Sequence, residues 1–253
     1  MASSSSSSSS SKNVTLIDLP SREPCRCWSF NPWKARLYLN YKKIPYTTKW
    51  VNYPDIPATI SQHVAPHPDG TAMKPYTIPA VILPDGTYVQ DSMTIVEKLD
   101  KLYPEPELKI RTPLLTEVME LISKIVPAAS PEFMARLPER VLDAKDTAYW
   151  NPDREKMVGM PVKEFQDSRG GKQTTENVAE HVRAVGELLE KKGGPFFEGE
   201  QVTYVDFMWA SFLLFLERIG SDAFDIVIVE ERQAHVRLLE EVKRRGWSKR
   251  DNH

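Results

Sequence analysis

The sequence predicts an α/β domain over residues 13–104, a linker over residues 105–112 and an all-α helical bundle over residues 113–253. Strand-like and helix-like patterns alternate in the first part of the chain. After the proline-rich stretch "PEPELKIRTP", every patterned segment has the period of a helix. Such a change in composition and period is typical of a domain boundary.

The first half of the α/β domain is predicted to form a strand, a helix and a second strand. "VTLIDL" at residues 14–19 has the alternating apolar pattern of a strand. Apolar residues then fall on one face of a helix over residues 32–43, with Pro32 in its first turn. "YTTKWVNY" at residues 46–53 is rich in β-branched and aromatic residues, so it completes a predicted βαβ unit.

The second half of this domain is predicted to be a β-hairpin followed by a helix. "AVIL" and "TYVQ" flank a Pro-Asp-Gly turn, which is a strong hairpin signal. In "SMTIVEKLDKLY", the residues Ile95, Val96, Leu99 and Leu102 form one apolar stripe, and Pro104 ends the helix. The order β-α-β, long connection, β-β-α is that of a thioredoxin-like domain.

The second domain is predicted from six helical patterns. They cover residues 114–126, 132–148, 153–167, 174–192, 203–219 and 229–245. "TYVD" at residues 203–206 has the form of a capping box, which predicts the start of a helix. The apolar stretch "FMWASFLLFL" that follows is too short to span a membrane and predicts a buried core helix.

Composition excludes several classes of function. The 253-residue chain is 41% hydrophobic and 27% charged, with a net charge of −2, so it has no basic field to hold nucleic acid. Residues 1–12, "MASSSSSSSSSK", lack the apolar core of a secretory signal and predict a disordered arm. With only Cys25 and Cys27 the chain lacks a disulfide framework, which favours a cytoplasmic location. Because the most apolar stretch is too short to span a membrane, no membrane partner is expected.

The stretch "CRCWSFNPWK" at residues 25–34 allows three interpretations. It is a dithiol redox site, a serine-assisted thiol site or an ordinary turn. The Cys25-Arg-Cys27 spacing disfavours the first, because redox motifs of this fold carry two intervening residues and begin a helix.

Two further stretches predict a binding site for an extended peptide with a free amino-acid end. A cis Ile78–Pro79 bond in "YTIPAV" would turn the backbone of Ile78 outward, where it can pair with such a ligand. Asp91 and Ser92 come where the hairpin meets a helix N-terminus, so Ser92 and free N–H groups can hold a carboxylate while Asp91 faces an ammonium. Ser92 as a plain N-cap is an equally common arrangement.

The stretches "WSFNPWKARLYLNYKKIPY" and "TIPAVILPDGTYVQDSMTIVEKLDKLYP", with the helical second half, resemble the cytosolic glutathione transferases. The resemblance is strongest to the fungal etherase-like (FuA) class, related to bacterial lignin β-etherases. It implies glutathione as the co-substrate, no metal, and a homodimer. It also implies that Ile78 and Pro79 meet the cysteinyl unit, that Asp91 and Ser92 hold the γ-glutamyl end, and that Lys74 or His63 meets the glycyl carboxylate.

The same resemblance assigns the residue that activates the sulfur. The family places it five positions before a basic residue of the first helix, and counting back from Lys34 gives Ser29. Because Phe30 stands where similar sequences carry proline, Asn31 is expected to share the role. A free thiol is only about 3% ionised at pH 7, so a hydrogen bond to the thiolate and the helix N-terminus together would raise the reactive fraction.

The second substrate is expected to be a hydrophobic aromatic compound bound against the helical domain. The candidate wall residues are Trp33, Phe133, Tyr149 and Trp150, for each of which a place in the core is the more common outcome. The resemblance implies attack of the glutathione thiolate on aromatic electrophiles or aryl ethers, in detoxification of wood-derived phenolics. Two alternatives stay open: a ligandin that binds polyphenols without turnover, and glutathione-dependent thiol exchange through Cys25 or Cys27.

Overall fold

The computed structural model describes residues 13–250 of the chain. The predicted disordered arm, residues 1–12, lies outside the described residues. The described part combines a thioredoxin-like α/β unit with a helical unit, which confirms the predicted fold class. The exact boundaries at residues 104 and 113 stay predictions.

A four-stranded mixed sheet forms the centre of the α/β unit. Its strands are β1 (Val14–Asp18), β2 (Tyr46–Trp50), β3 (Ala80–Ile82) and β4 (Tyr88–Gln90), in the order β2-β1-β3-β4. β1 and β2 pair in parallel, as the βαβ unit requires, and β3 pairs antiparallel with both β1 and β4. The βαβ unit and the hairpin are therefore confirmed.

Three α-helices accompany the sheet: α1 (Phe30–Tyr41), α2 (Ile56–Ile60) and α3 (Ser92–Leu102). The predicted start of α1 at Pro32 was wrong by two residues. Proline is tolerated at the third helical position because the first N–H groups of a helix have no intrahelical partner. Of the predicted apolar stripe of α3, Ile95, Val96 and Leu99 are buried, whereas Leu102 lies in the last turn and is 54% exposed.

The helical unit differs from its prediction mainly in its first half. Its helices are α4 (Pro113–Ala128), α5 (Ser130–Met134), α6 (Arg136–Arg140), α7 (Ala144–Val158), α8 (Val162–Arg169), α9 (Lys172–Glu190), α10 (Tyr204–Ile219), α11 (Ser221–Val227) and α12 (Arg232–Arg244). The predicted helices over 132–148 and 153–167 were wrong. Asp143 caps a new helix by accepting a hydrogen bond from the Asp146 N–H, and Gly159 ends that helix with a φ of 77°.

Helix α10 is the central buried helix of the helical unit. The predicted capping box is confirmed, since Thr203 and Asp206 bond each other's backbone N–H groups reciprocally. Asp206 also accepts a hydrogen bond from the Phe197 N–H at 2.9 Å, which ties the preceding loop to the helix. No helix among the described residues is long and apolar enough to cross a membrane.

Helix α1 is fixed between the sheet and α10. Inside the α/β unit, Arg36 Nη2 lies 2.8 Å from Asp18 Oδ2 in an ion pair with both side chains fully buried. Toward the helical unit, the rings of Phe30 and Phe212 meet edge to face at 5.6 Å. These contacts hold the N-terminus of α1 at the junction of the two units.

We expect that Thr112→Ala will lower the free energy of unfolding by about 1 kcal/mol. Thr112 is the N-cap of α4, and its Oγ1 accepts a hydrogen bond from the Leu115 N–H at 3.1 Å. Urea unfolding followed by circular dichroism measures the change. Thr116→Ala, at an exposed position of the same helix, is the matched control; an equal loss in both variants would contradict the role of the cap.

Candidate functional site

A cavity of about 790 Å³ opens between the α/β unit and the helical unit. Its walls come from the N-termini of α1 and α3, the connection before β3, and helices α4, α7 and α10. Most of the residues predicted for a site line this one cavity: Ser29, Asn31, Lys74, Ile78, Pro79, Asp91, Ser92 and Tyr149. Residues far apart along the chain thus share one space.

The N-terminus of α1 forms one wall. Ser29 is its half-buried N-cap residue, and its hydroxyl makes no hydrogen bond within the described part of the chain, so it is available to a ligand. No acidic side chain lies in the first turn, so the positive partial charge of the helix end is not offset there. Asn31 is exposed in that turn, and its Oδ1 accepts a hydrogen bond from Lys34 Nζ at 2.8 Å.

The peptide before β3 forms the second wall. The Ile78–Pro79 bond is cis, as the sequence predicted. Within residues 13–250, no hydrogen bond uses the N–H or the C=O of Ile78, although the side chain is buried. Buried backbone groups rarely stay unpaired, so these two groups are suited to an extended ligand in the cavity.

The N-terminus of α3 forms the third wall. Asp91, and not Ser92, is the N-cap: Asp91 Oδ1 accepts hydrogen bonds from the N–H and the hydroxyl of Thr94, both at 2.9 Å. Asp91 Oδ2 makes no hydrogen bond among the described residues, which leaves one carboxylate oxygen for a cation. The backbone of Asp91 has a φ of 75°, an unfavourable region for a side chain other than glycine that is typical of functional sites.

Lys74 and His63, the two residues expected to bind a carboxylate of the ligand, lie in different surroundings. Lys74 lines the cavity, but its Nζ pairs with Asp153 Oδ1 of α7 at 2.5 Å. His63 does not line the cavity; its exposed ring stacks on Tyr88 at a centroid distance of 4.0 Å. Instead of His63, His67 faces the cavity, with Nε2 at 2.8 Å from the Thr77 hydroxyl.

Of the four aromatic candidates, only Tyr149 lines the cavity, where it stacks on Tyr53 at 5.7 Å. The other three are core residues. Trp33 is 4% exposed, Phe133 packs edge to face on Phe215, and Trp150 Nε1 donates to the Met134 carbonyl at 2.9 Å. Their helices turn these rings inward, toward the interior of the fold and away from the cavity.

Four methionines take the place of those aromatic rings in the apolar part of the cavity. They come from four separate elements, and are Met73, Met93, Met119 and Met208. Methionine is flexible and polarizable, and it packs well against aromatic ligands of different shapes. The sequence analysis missed these residues, as it missed Arg154, because nothing in their spacing marks them as cavity residues.

Neither cysteine belongs to the cavity. Cys27 is buried and its burial raises the pKa of the thiol well above the ordinary value. Burial also raises the pKa of the half-buried Cys25 thiol. A thiol with a raised pKa is a poor nucleophile at neutral pH, so the arrangement does not favour thiol exchange through either cysteine. Among residues 13–250, no group of three His, Cys, Asp or Glu side chains could hold a metal ion.

Comparisons with known proteins agree with this architecture. Residues 28–102 match the glutathione S-transferase N-terminal domain model, and residues 118–234 match the C-terminal domain model. The glutathione S-transferase-like protein ustS of Aspergillus flavus is 35% identical over 216 residues, which cover 78% of this chain and 77% of that protein.

Two solved structures share the fold over most of the chain. Glutathione transferase GSTFuA2 of Phanerochaete chrysosporium is 22% identical with a TM-score of 0.81, covering 93% of this chain and 98% of that one. CsGST83044 of Ceriporiopsis subvermispora, solved in complex with glutathione, is 25% identical with a TM-score of 0.73, covering 92% and 98%. On the domain matches and the ustS identity together, the chain belongs to the glutathione S-transferase family.

Proposed function

We propose that this protein is a glutathione transferase that activates the glutathione thiol with Ser29. One observation carries the proposal: the free hydroxyl at the α1 N-terminus, the unpaired backbone of Ile78 and the α3 N-terminus with Asp91 and Ser92 line a single cavity. Glutathione has a thiol, an extended peptide backbone and an amino-acid end, so it is complementary to all three walls. The glutathione complex of the Ceriporiopsis structure supports this choice of ligand.

In this proposal each wall has one task in binding. The free Oδ2 of Asp91 pairs with the γ-glutamyl ammonium, and the hydroxyl of Ser92 and the first N–H groups of α3 hold the γ-glutamyl carboxylate. The Ile78 N–H and C=O pair with the cysteinyl unit as an added strand would. This leaves the sulfur beside the N-terminus of α1.

Activation requires that the bound thiol ionise near neutral pH. The Ser29 hydroxyl donates a hydrogen bond to the sulfur, which favours the thiolate over the thiol, and the helix N-terminus adds a favourable partial charge. The thiolate then attacks an electrophilic carbon of the second substrate. A carbon–sulfur bond forms as the bond to the leaving group breaks, and the leaving group departs with the electron pair as a halide, a phenolate or, from a thioether, a thiolate.

The second substrate would lie against Tyr149 and the methionines of the cavity. These groups favour flat, apolar aromatic compounds. Aryl ethers and phenolics derived from wood belong to this class, and we propose an etherase-like activity of the FuA type. A cytoplasmic homodimer in detoxification is part of the same proposal.

Turnover of two probes tests the reaction type. The protein with glutathione is assayed on a generic aryl halide and on a phenacyl-type thioether, with product formation followed by chromatography. We expect turnover of at least one probe that depends on glutathione. Absence of turnover with both, in protein that binds glutathione, would contradict the transferase proposal.

The methionine-lined cavity also favours a second candidate function, a ligandin that binds polyphenols without reaction. Its adaptable apolar lining suits ligands of different shapes. Fluorescence titration with a polyphenol distinguishes the two functions. Tight binding that persists in Ser29→Ala, together with negligible turnover in the parent protein, would favour the ligandin over the transferase.

We expect that Asp153→Asn will lower the KM for glutathione by up to about fivefold. Lys74 is held by Asp153, and releasing an exposed ion pair of about 0–1 kcal/mol frees the ammonium for the glycyl carboxylate. Steady-state kinetics measure the change. Lys74→Met combined with Asp153→Asn is the control and should abolish the gain. A gain that persists without Lys74 would exclude it as the carboxylate ligand.

A further inference from the structure

Lys34 in α1 and Lys42 directly after it are both buried, and among the described residues only Lys42 forms an ion pair. Lys42, after the helix, pairs with Asp100 at 2.7 Å and donates to the carbonyls of Tyr103 and Pro104. Lys34, in the second turn, is 7% exposed, and no carboxylate of the described residues lies within ion-pair distance of its Nζ. A buried ammonium without a counter-ion is unfavourable, so Lys34 requires an explanation that Lys42 does not.

The surroundings of Lys34 direct its Nζ toward the cavity wall. Nζ lies 4.0 Å from the centroid of the Phe30 ring, and it donates one hydrogen bond, to Asn31 Oδ1 at 2.8 Å. An ammonium has three N–H donors, so two have no hydrogen-bond acceptor among residues 13–250, although the Phe30 ring faces the group. Lys34 itself lines the cavity. These two donors and the charge are therefore available to an anion bound there.

The hydrogen bond to Asn31 has a second consequence. An ammonium can only donate, so the amide oxygen of Asn31 must face Lys34, and the amide nitrogen must face the other way. The Nδ2 atom makes no hydrogen bond among the described residues, although Asn31 lines the cavity. The hydrogen bond from Lys34 thus orients the Asn31 amide so that its Nδ2–H groups, and not its Oδ1, are available to a ligand next to Ser29.

We propose that Lys34 is a positioning residue for thiol activation: it orients the Asn31 amide so that Nδ2–H donates to the glutathione sulfur, and it supplies a positive charge behind that donor that no carboxylate of the described residues pairs with directly. The inference rests on the proposed function above and deepens it. Ser29 and Asn31 then donate to the same sulfur from one turn of α1. A thiolate is stabilised by both donors and by the charge, whereas a neutral thiol gains little from either.

The stabilisation of the thiolate by Lys34 should depend on pH, because Lys34 is buried. Burial lowers its pKa to about 8, against the opposing effect of the Asp91 carboxylate at the start of α3. On α10, Tyr204 stays neutral because burial raises its pKa, and His67 and Arg154 also line the cavity. Lys34 is charged below pH 8 and neutral above it. The stabilisation of the thiolate is therefore present near neutrality and is lost as the pH rises through about 8.

The test compares Lys34→Met, Lys34→Gln and Lys34→Arg. The pKa of the bound thiol is measured from the ultraviolet absorbance of the thiolate, and kcat and KM for glutathione are measured against pH. For Lys34→Met we expect the thiol pKa to rise by about one unit and kcat at pH 7 to fall about three- to tenfold, with KM changed less than about twofold. Lys34→Gln keeps a donor for Asn31 but has no charge, so its thiol pKa and kcat should lie between those of the parent and those of Lys34→Met. Lys34→Arg keeps a positive charge and a donor for Asn31, so it should restore the thiol pKa and the kcat of the parent.

Two further variants keep the result interpretable if Lys34→Met folds poorly. Lys42→Met removes the other buried lysine, so it should lower stability and leave the thiol pKa unchanged. Asn31→Ala changes an exposed residue and should raise the thiol pKa in the same direction as Lys34→Met. An unchanged thiol pKa in both Lys34→Met and Asn31→Ala, in a parent that conjugates glutathione, would overturn this inference alone. A parent that does not bind glutathione would overturn the proposed function and the inference with it.

Discussion

Ser29→Ala is expected to lower kcat at least about tenfold, with KM for glutathione changed less than about threefold. The hydroxyl of Ser29 makes no capping hydrogen bond in α1, so its removal should leave the helix intact and affect the sulfur alone. Loss of one donor to a thiolate moves the thiol pKa upward, and a return from about 6.5 to the free value near 8.5 would lower the ionised fraction at pH 7 from roughly three quarters to about 3%. Steady-state kinetics between about pH 6 and 8 measure the effect.

Two control variants isolate the hydroxyl of Ser29. Ser29→Thr keeps an O–H donor and should retain a substantial part of the turnover. Ser61→Ala removes a serine hydroxyl from a half-buried position outside the cavity and should leave kcat unchanged. If turnover of Ser29→Ala equals that of the parent over the whole pH range, Ser29 has no part in activation.

Asp91→Ala is expected to raise the KM for glutathione roughly 10- to 100-fold. One carboxylate oxygen caps α3 and the other is free for the γ-glutamyl ammonium, and a hydrogen bond to a charged group is worth about 1.5–3 kcal/mol. Loss of the cap should also lower the free energy of unfolding by about 1 kcal/mol. Kinetics and urea unfolding of the same preparation measure both effects.

Asp91→Asn separates these two roles. Its side-chain oxygen can still accept the hydrogen bond from the Thr94 N–H, and asparagine tolerates the φ of 75° better than alanine does. Stability should therefore stay near that of the parent, while the KM for glutathione should rise. A glutathione analogue without the α-amino group should bind the parent and Asp91→Asn equally. If Asp91→Asn still bound glutathione more tightly than the analogue, as the parent should, the ammonium contact of Asp91 would be contradicted.

Local signals carried much of the fold prediction. The Pro-Asp-Gly turn between two apolar runs predicted the hairpin, and the apolar stripe predicted α3, because both patterns depend on neighbours in the chain. The helices between 130 and 169 were missed for the opposite reason. The helical pattern predicted over residues 132–148 runs through Ala135 and Asp143, where the folded chain is divided into separate helices. The capping hydrogen bond of Asp143 and the φ of Gly159 set the bounds of α7, and no periodic pattern marks them.

The candidate site was likewise predictable only where neighbours in the sequence determine the structure. Ser29, Asp91 and Ser92 were predictable because turn chemistry and a family resemblance place them at helix N-termini. Whether Trp33 or Trp150 lines the cavity depends on which face of each helix packs inward, and periodicity alone does not determine that. Lys34 served only as a marker for counting back to Ser29, since its burial without a counter-ion exists only in the folded chain.

Calorimetric titration of the protein with glutathione is the most direct test of the central claim, that the cavity between the two units is a glutathione site. The account predicts a one-to-one complex with a Kd between micromolar and millimolar, weakened in Asp91→Asn. No heat of binding in folded protein, or binding that Asp91→Asn and Asp91→Ala leave unchanged, would contradict the assignment of Ile78, Asp91 and Ser92 to glutathione.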